Sequence, residues 1–169
     1  GATQGHRPDQ ALQSRSAATA RQEGSLTGVR YLFDTNTCSY VIHQRKGFEA
    51  IAQRMSGLRY GELVISSIVL AELQFMVVKS AVPQSKREQL LRFLLQFHIA
   101  PFDESATLAY AQVRHQLEQR GSPIGPLDTL IAAHAVSLKA TVVTNNTKHF
   151  AQVSSLAVEN WYPDPRASR

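Results

Sequence analysis

The stretch Val29-Arg30-Tyr31-Leu32-Phe33-Asp34-Thr35-Asn36 indicates the fold class of this chain. Residues 29–33 form a short, mostly apolar run that is typical of a buried strand, and Asp34 ends it with a charge. A second apolar run, Leu63-Val64-Ile65, precedes Ser66 and Ser67, which are residue types that commonly cap the beginning of a helix. From residue 29 onwards, strand and helix signals therefore follow one another.

The alternation of strands and helices continues along the chain. Helices are predicted over residues 36–45, 47–56, 84–97, 105–120 and 127–139, with one more after Ser66, and further strands at 99–102, 141–144 and 157–159. Such alternation favours a parallel sheet covered by helices on both faces. We therefore expect an α/β domain with four to five parallel strands.

Composition limits the classes of protein that fit. The chain has 169 residues, of which 43% are hydrophobic, and this suits one domain with a core. Its apolar runs are far shorter than the roughly 20 residues of a membrane span. The single cysteine, Cys38, excludes an internal disulfide framework and a cysteine-based zinc site, and it favours a reducing, cytoplasmic setting. A net charge of +5 suits a polyanionic partner such as RNA.

The two ends of the chain differ from its middle. The first 28 residues are rich in Ala, Gln, Ser, Gly and Arg and show no helical or strand periodicity. We expect residues 1–28 to be a disordered extension, a vector remnant or a misassigned start, with a transit peptide as a less favoured alternative. Residues 29–162 form the predicted domain, and residues 163–169 a loose tail.

Three acids lie in apolar surroundings, where carboxylates are rarely placed without compensation of their charge. Asp34 follows the first strand, Glu72 lies inside the run Ile68-Val69-Leu70-Ala71-Glu72-Leu73, and Asp128 starts an apolar helix. Because functional groups gather beyond the carboxyl ends of parallel strands, we expect these acids to converge with Asn146, which follows the strand at 141–144. Oxygen ligands of this kind suit Mg²⁺ or Mn²⁺, which assist phosphodiester chemistry.

Each of these residues also has a purely structural interpretation. Asp34 and Asp128 are suitable helix N-caps, Glu72 fits a buried ion pair, and Asn146 fits a turn. His134, in an Ala-rich helix, is interpreted as a core histidine rather than a base.

Four segments, taken in order, carry a family resemblance. They are Tyr31-Leu32-Phe33-Asp34-Thr35-Asn36-Thr37-Cys38, Ile65-Ser66-Ser67-Ile68-Val69-Leu70-Ala71-Glu72-Leu73, Pro123-Ile124-Gly125-Pro126-Leu127-Asp128-Thr129-Leu130-Ile131-Ala132-Ala133-His134-Ala135 and Val142-Val143-Thr144-Asn145-Asn146-Thr147-Lys148-His149-Phe150. Together with the ending Val158-Glu159-Asn160-Trp161, they resemble the PIN-domain ribonuclease toxins of the VapC type. The resemblance extends over residues 29–162.

The resemblance implies a PIN-like three-layer α/β/α domain and a Mg²⁺-dependent endoribonuclease, with Mn²⁺ as a substitute, from a bacterial type II toxin–antitoxin pair. The four family positions that carry catalysis map onto Asp34, Glu72, Asp128 and Asn146. Asp34 and Asp128 would bind the metal, and Glu72 would bind it through water or position the nucleophile. His149 departs from the pattern, because relatives commonly have an acid there, and its presence is expected to weaken a second metal site.

The same resemblance implies partners and a substrate. Toxins with Ile-Gly-Pro before the third acid include enzymes that cut initiator tRNA in the anticodon loop, which makes this RNA the leading candidate. A VapB-like antitoxin would cover the active site with its C-terminal segment, and the toxin would form a homodimer in the bacterial cytoplasm.

Two other functions are compatible with parts of the pattern. A phosphatase of the haloacid-dehalogenase type also places a nucleophilic Asp after its first strand, but it needs a second acid where this chain has Asn36. A catalytically silent module of a repressor complex would need no metal at its carboxylates.

Overall fold

A parallel sheet of five strands forms the centre of the molecule. In the computed structural model, which describes residues 28–163, the strands are β1 (Tyr31–Phe33), β2 (Leu63–Ser66), β3 (His98–Ala100), β4 (Thr141–Val143) and β5 (Val158–Glu159). They lie in the order β3-β2-β1-β4-β5, and every neighbouring pair is parallel. The predicted α/β class with a parallel sheet of four to five strands is confirmed.

Seven helices flank the sheet in the described range. They are α1 (Thr35–Ile42), α2 (Phe48–Ser56), α3 (Ser67–Val78), α4 (Pro83–Leu94), α5 (Glu104–Gln119), α6 (Pro126–Ser137) and α7 (Thr147–Phe150). Six lie close to their predicted bounds. Helix α7 was not predicted, because four residues are too few to show a helical period. The predicted cap at Ser66 is confirmed, since its hydroxyl accepts a hydrogen bond from the Ile68 N–H at 3.1 Å.

The strand order locates a crevice. The chain runs outward from β1 to β3, returns past β1 to β4 and continues to β5. With right-handed crossovers, helices α1 to α4 cover one face and α5 to α7 the other. The direction of winding therefore reverses between β1 and β4, and in open α/β sheets ligands bind beyond the carboxyl ends of the strands at this switch point.

The core explains why the strands are continuously apolar. Leu32, Phe33, Ile65, Val142 and Val143 are wholly buried, because helices cover both faces of the sheet. Helix α6 is buried over the run 131–135, and its alanines let it lie close to its neighbours. No described helix is long and apolar enough to cross a membrane.

The predictions for the two ends concern residues that lie almost wholly outside the described range. Only Gly28 of the predicted extension and Pro163 of the predicted tail are within it. The division into an extension, a domain over 29–162 and a tail therefore stays a prediction.

Candidate active site

Two polar residues end the adjacent strands at the switch point. Asp34 follows β1 and Thr144 follows β4, and the two strands pair in register from Tyr31 and Thr141 onwards. The Asp34 backbone N–H donates to the Val143 carbonyl at 3.3 Å, which extends the pairing by one residue. The pairing of the strands thus brings together two residues that are 110 positions apart.

Asp34 is held in one orientation by both of its carboxylate oxygens. Oδ1 accepts the backbone N–H of Thr37 at 2.7 Å, so Asp34 does cap helix α1, as the structural interpretation requires. Oδ2 accepts the hydroxyl of Thr144 at 2.5 Å. The side chain is only 3% exposed. A cap alone needs one oxygen, and the second contact orients the carboxylate toward the next strand.

Thr144 connects Asp34 to Asn146. The Thr144 hydroxyl donates to Asp34 and accepts the backbone N–H of Asn146 at 2.9 Å. Asn146 in turn begins helix α7. Thr144 is fully buried, so water does not compete for this chain of hydrogen bonds.

Burial dominates the electrostatics of Asp34. Loss of solvation raises the pKa of its carboxyl, and the neighbouring carboxylate of Asp128 raises it further. The hydrogen bonds from Thr144 and Thr37 act in the opposite direction but do not cancel the rise. No basic side chain in the described part of the chain forms an ion pair with Asp34. The site therefore presents a buried acid whose charge is not compensated by the protein.

Asp128 is the second acid of the site. It lies in the first turn of α6, where the helix dipole favours negative charge, and it acts electrostatically on Asp34. Its Oδ2 atom is 3.7 Å from Nδ1 of His149, which α7 carries. The structure thus brings Asp34, Asp128 and Asn146 to one edge of the sheet, as predicted, and adds His149.

Glu72 stands apart from this group. It is the sixth residue of α3 and is partly buried. Among residues 28–163, no three Asp, Glu, His or Cys side chains lie close enough together to hold one metal ion. The structure therefore does not place Glu72 in a single cluster with Asp34 and Asp128, and its predicted role stays a prediction.

Sequence reasoning missed two supporting residues. Tyr162 donates its hydroxyl to Oγ1 of Thr37 at 3.2 Å, and Thr37 donates to the carbonyl of Val143 at 3.0 Å. Burial raises the pKa of Tyr162 to about 12, so its hydroxyl stays a hydrogen-bond donor. The exposed residue His149 also lies beside the site, through its contact with Asp128. Its position three residues after Asn146, one helical turn, was the available signal.

His134 has a structural role. It is fully buried in α6, its Nδ1 atom lies 2.7 Å from the hydroxyl of Ser66, and its ring packs edge-on against Phe102. Burial lowers the pKa of the imidazole, while Asp103 and the backbone of Pro101 act in the opposite direction. The interpretation as a core histidine agrees with this placement.

Comparison with known proteins places the chain among relatives of one kind. The model of the PIN domain family matches residues 31–156. Ribonuclease VapC2 of Rickettsia felis is 40% identical over 136 residues, which cover 78% of this chain and 97% of the relative. The tRNA(fMet)-specific endonuclease VapC of Shigella flexneri is 33% identical over 133 residues, which cover 79% and 98%.

Solved structures agree with these relatives. The structure of VapBC2 from Rickettsia felis bound to a DNA fragment from its promoter superposes with a TM-score of 0.72 at 38% identity, covering 79% of this chain and 99% of that chain. DNA-bound VapBC from Salmonella typhimurium gives a TM-score of 0.73 at 33% identity, with the same coverage.

Proposed function

The chain belongs to the PIN-domain family, in its VapC-type branch, and from this premise we propose that it is the toxin of a type II toxin–antitoxin pair and a metal-dependent endoribonuclease. One observation carries the proposal: a buried carboxylate, Asp34, is coupled to a second one, Asp128, with no basic side chain of the described range compensating Asp34. Such a pair at a topological switch point is the arrangement that a hard cation stabilises.

The donor atoms suit a divalent ion. Carboxylate oxygens are the ligands that Mg²⁺ and Mn²⁺ prefer, and Asp34 and Asp128 would hold the ion directly. Glu72 would act through water or position the nucleophile, and Asn146 would add a neutral oxygen. When bound, the ion would stabilise charge on the scissile phosphate and assist ionisation of water.

The protein's own part is orientation. Thr37 and Thr144 fix both oxygens of Asp34, so the carboxylate loses little freedom when it meets a cation. The chain also carries a net charge of +5, which favours approach of a polyanion although the site itself is acidic. Without a cation, the two carboxylates would repel the phosphates of an RNA.

We propose tRNA, and initiator tRNA cut in its anticodon loop, as the substrate. The name of the Shigella relative, a tRNA(fMet)-specific endonuclease, supports this choice, as does the Ile124-Gly125-Pro126 sequence before Asp128. A VapB-like antitoxin is the proposed partner, supported by the VapBC complexes among the structural neighbours. A homodimer and a bacterial cytoplasmic location complete the proposal.

Cleavage of purified tRNA tests the proposed function. We expect the protein to cut tRNA with Mg²⁺ or Mn²⁺ present, to stop when a chelator is added, and to lose activity in Asp34→Asn and Asp128→Asn. Asp103→Asn is the matched control, because Asp103 also caps a helix, with its Oδ1 accepting the Ala106 N–H at 3.0 Å, but follows the edge strand β3.

Three results would contradict the proposal. Full cleavage by both variants would remove the assigned acids from catalysis. Absence of Mg²⁺ and Mn²⁺ binding in isothermal titration would favour a catalytically silent module of a repressor complex. Trapping of a phosphoryl group on Asp34 would instead favour a phosphatase.

A further inference from the structure

The segment that follows β5 packs against the beginning of the chain's first helix. Trp161 is buried, and its ring lies edge-on to Phe33 of β1 with 5.4 Å between the ring centroids. The ring of Tyr162 lies against Tyr40 of α1, with the centroids 4.6 Å apart and the rings tilted by 58°. These contacts hold Tyr162 on the helix that Asp34 caps.

The hydroxyl of Tyr162 contacts one residue of that helix. It lies 3.2 Å from Oγ1 of Thr37, and the Thr37 hydroxyl donates to the carbonyl of Val143 at 3.0 Å. Because a hydroxyl has a single proton, Tyr162 is the donor and Thr37 the acceptor in the first of these bonds. Burial raises the pKa of Tyr162 to about 12, so this donor keeps its proton at neutral pH.

Thr37 connects this contact to the first acid of the site. The Thr37 backbone N–H donates to Oδ1 of Asp34 at 2.7 Å. Thr37 is wholly buried, so water does not compete for its hydrogen bonds. Oδ2 of Asp34 is held separately by Thr144. Loss of the Tyr162 hydroxyl is therefore expected to loosen one oxygen of the carboxylate and to leave the bond to the other in place.

We propose that Tyr162 is a positioning residue for the proposed active site, which holds the carboxylate of Asp34, through Thr37, in the orientation that binds a cation. The inference rests on the proposed function, since Asp34 is the acid that would hold the metal ion. Loss of a group that orients a metal-binding side chain commonly lowers metal affinity or activity by about ten- to hundredfold. Because Tyr162 acts through an intermediate residue, we expect an effect at the lower end of this range.

Nuclear magnetic resonance of the metal-free full chain tests the contact in the absence of RNA and metal. The Thr37 amide proton is expected downfield of ordinary amide protons, because its bond to the carboxylate is short and charge-assisted. In Tyr162→Phe this resonance should move upfield, since the bond lengthens. Tyr40→Phe is the matched control, in which the resonance should stay, because the Tyr40 hydroxyl donates to the carbonyl of Lys46 instead.

Calorimetric titration with Mn²⁺ measures the consequence for the proposed metal site. Tyr162→Phe is expected to weaken Mn²⁺ binding about tenfold, and Tyr40→Phe less than about twofold. In a Thr37→Val background, Tyr162→Phe should weaken binding no further, because its route to Asp34 is already removed. Circular dichroism confirms that each variant is folded. A tyrosine that only stabilised the fold would change the melting temperature and leave the Mn²⁺ affinity of the folded protein unchanged.

The outcomes separate this inference from the proposed function. Unchanged Mn²⁺ affinity in Tyr162→Phe, or an unmoved Thr37 resonance, would overturn the positioning role while RNA cleavage by the wild type remains. Equal losses of affinity in Tyr162→Phe and Tyr40→Phe would also overturn it and assign the effect to the packing of the two rings. Additive losses in the Thr37→Val background would overturn the route through Thr37. Failure of the wild type to bind Mn²⁺ or Mg²⁺ would overturn both the inference and the proposed function.

Discussion

Replacement of Thr144 by valine tests the hydrogen bonds that orient the site. The hydroxyl of Thr144 donates to Oδ2 of Asp34 at 2.5 Å and accepts the Asn146 N–H at 2.9 Å, and the residue is fully buried. Valine has nearly the same shape. The change Thr144→Val therefore leaves two polar groups without a partner and creates almost no cavity.

The expected loss of stability follows from these two bonds. A hydrogen bond to a charged group contributes about 1.5–3 kcal/mol, and a bond between neutral groups about 1 kcal/mol. Thr144→Val should therefore lower the free energy of unfolding by about 2.5–4 kcal/mol when Asp34 is ionised. In a domain of this size, such a loss lowers the melting temperature by about 8–20 °C.

Urea unfolding, followed by circular dichroism with a chelator present at slightly alkaline pH, measures the loss. Thr144→Ser is the control, since it keeps the hydroxyl and should cost only about 1 kcal/mol for the lost methyl group. In an Asp34→Asn background, the hydroxyl meets a neutral amide. The cost of Thr144→Val should then fall by about 1 kcal/mol or more.

Two outcomes would refute the reasoning. Equal losses in the wild-type and Asp34→Asn backgrounds, within about 0.5 kcal/mol, would mean that the hydroxyl does not stabilise the carboxylate. A loss in Thr144→Ser as large as in Thr144→Val would assign the effect to packing of the methyl group instead.

Three further predictions concern charge, backbone and domain limits. The pKa of Asp34 is raised in the folded state, so its contribution to stability is full below its unfolded pKa and is lost as pH rises through the folded pKa. Asp34→Asn should therefore have a higher melting temperature than the metal-free wild type, and the difference between the two melting temperatures should grow as pH rises. A difference that does not change with pH would contradict this. Gly47→Ala should cost about 1–3 kcal/mol in urea unfolding, because φ is +87° and a Cβ would lie 2.5 Å from Cγ of Pro163. In Gly121→Ala, φ is +60° and nothing lies within 4 Å of the added Cβ, so the free energy of unfolding should fall by less. Equal losses in the two variants would rule out the clash at Gly47. A protein without residues 1–28 should give the circular dichroism spectrum and cooperative melting of a folded domain, and aggregation or a disordered spectrum would show that the segment is needed.

The sequence by itself determined the local elements and the positions of the acids along them. Apolar runs ended by Asp34 and by Thr144 predicted strands, and Ser66 predicted a helix start, because each signal depends on a few adjacent residues. The alternation of elements predicted a parallel sheet, and the rule for such sheets predicted that Asp34 and Asn146 meet at one edge. These predictions needed no knowledge of which strand lies beside which.

Only the tertiary structure decided which side chains touch. The hydroxyl of Thr144 reaches Asp34 because β4 pairs with β1 in one register, and a shift of one residue would turn it to the other face of the sheet. His149 lies 3.7 Å from Asp128 because the folded chain brings a side chain of α7 next to the first turn of α6. Contacts between residues far apart in the chain depend on strand order, register and helix position together, and no local pattern in the sequence encodes that combination.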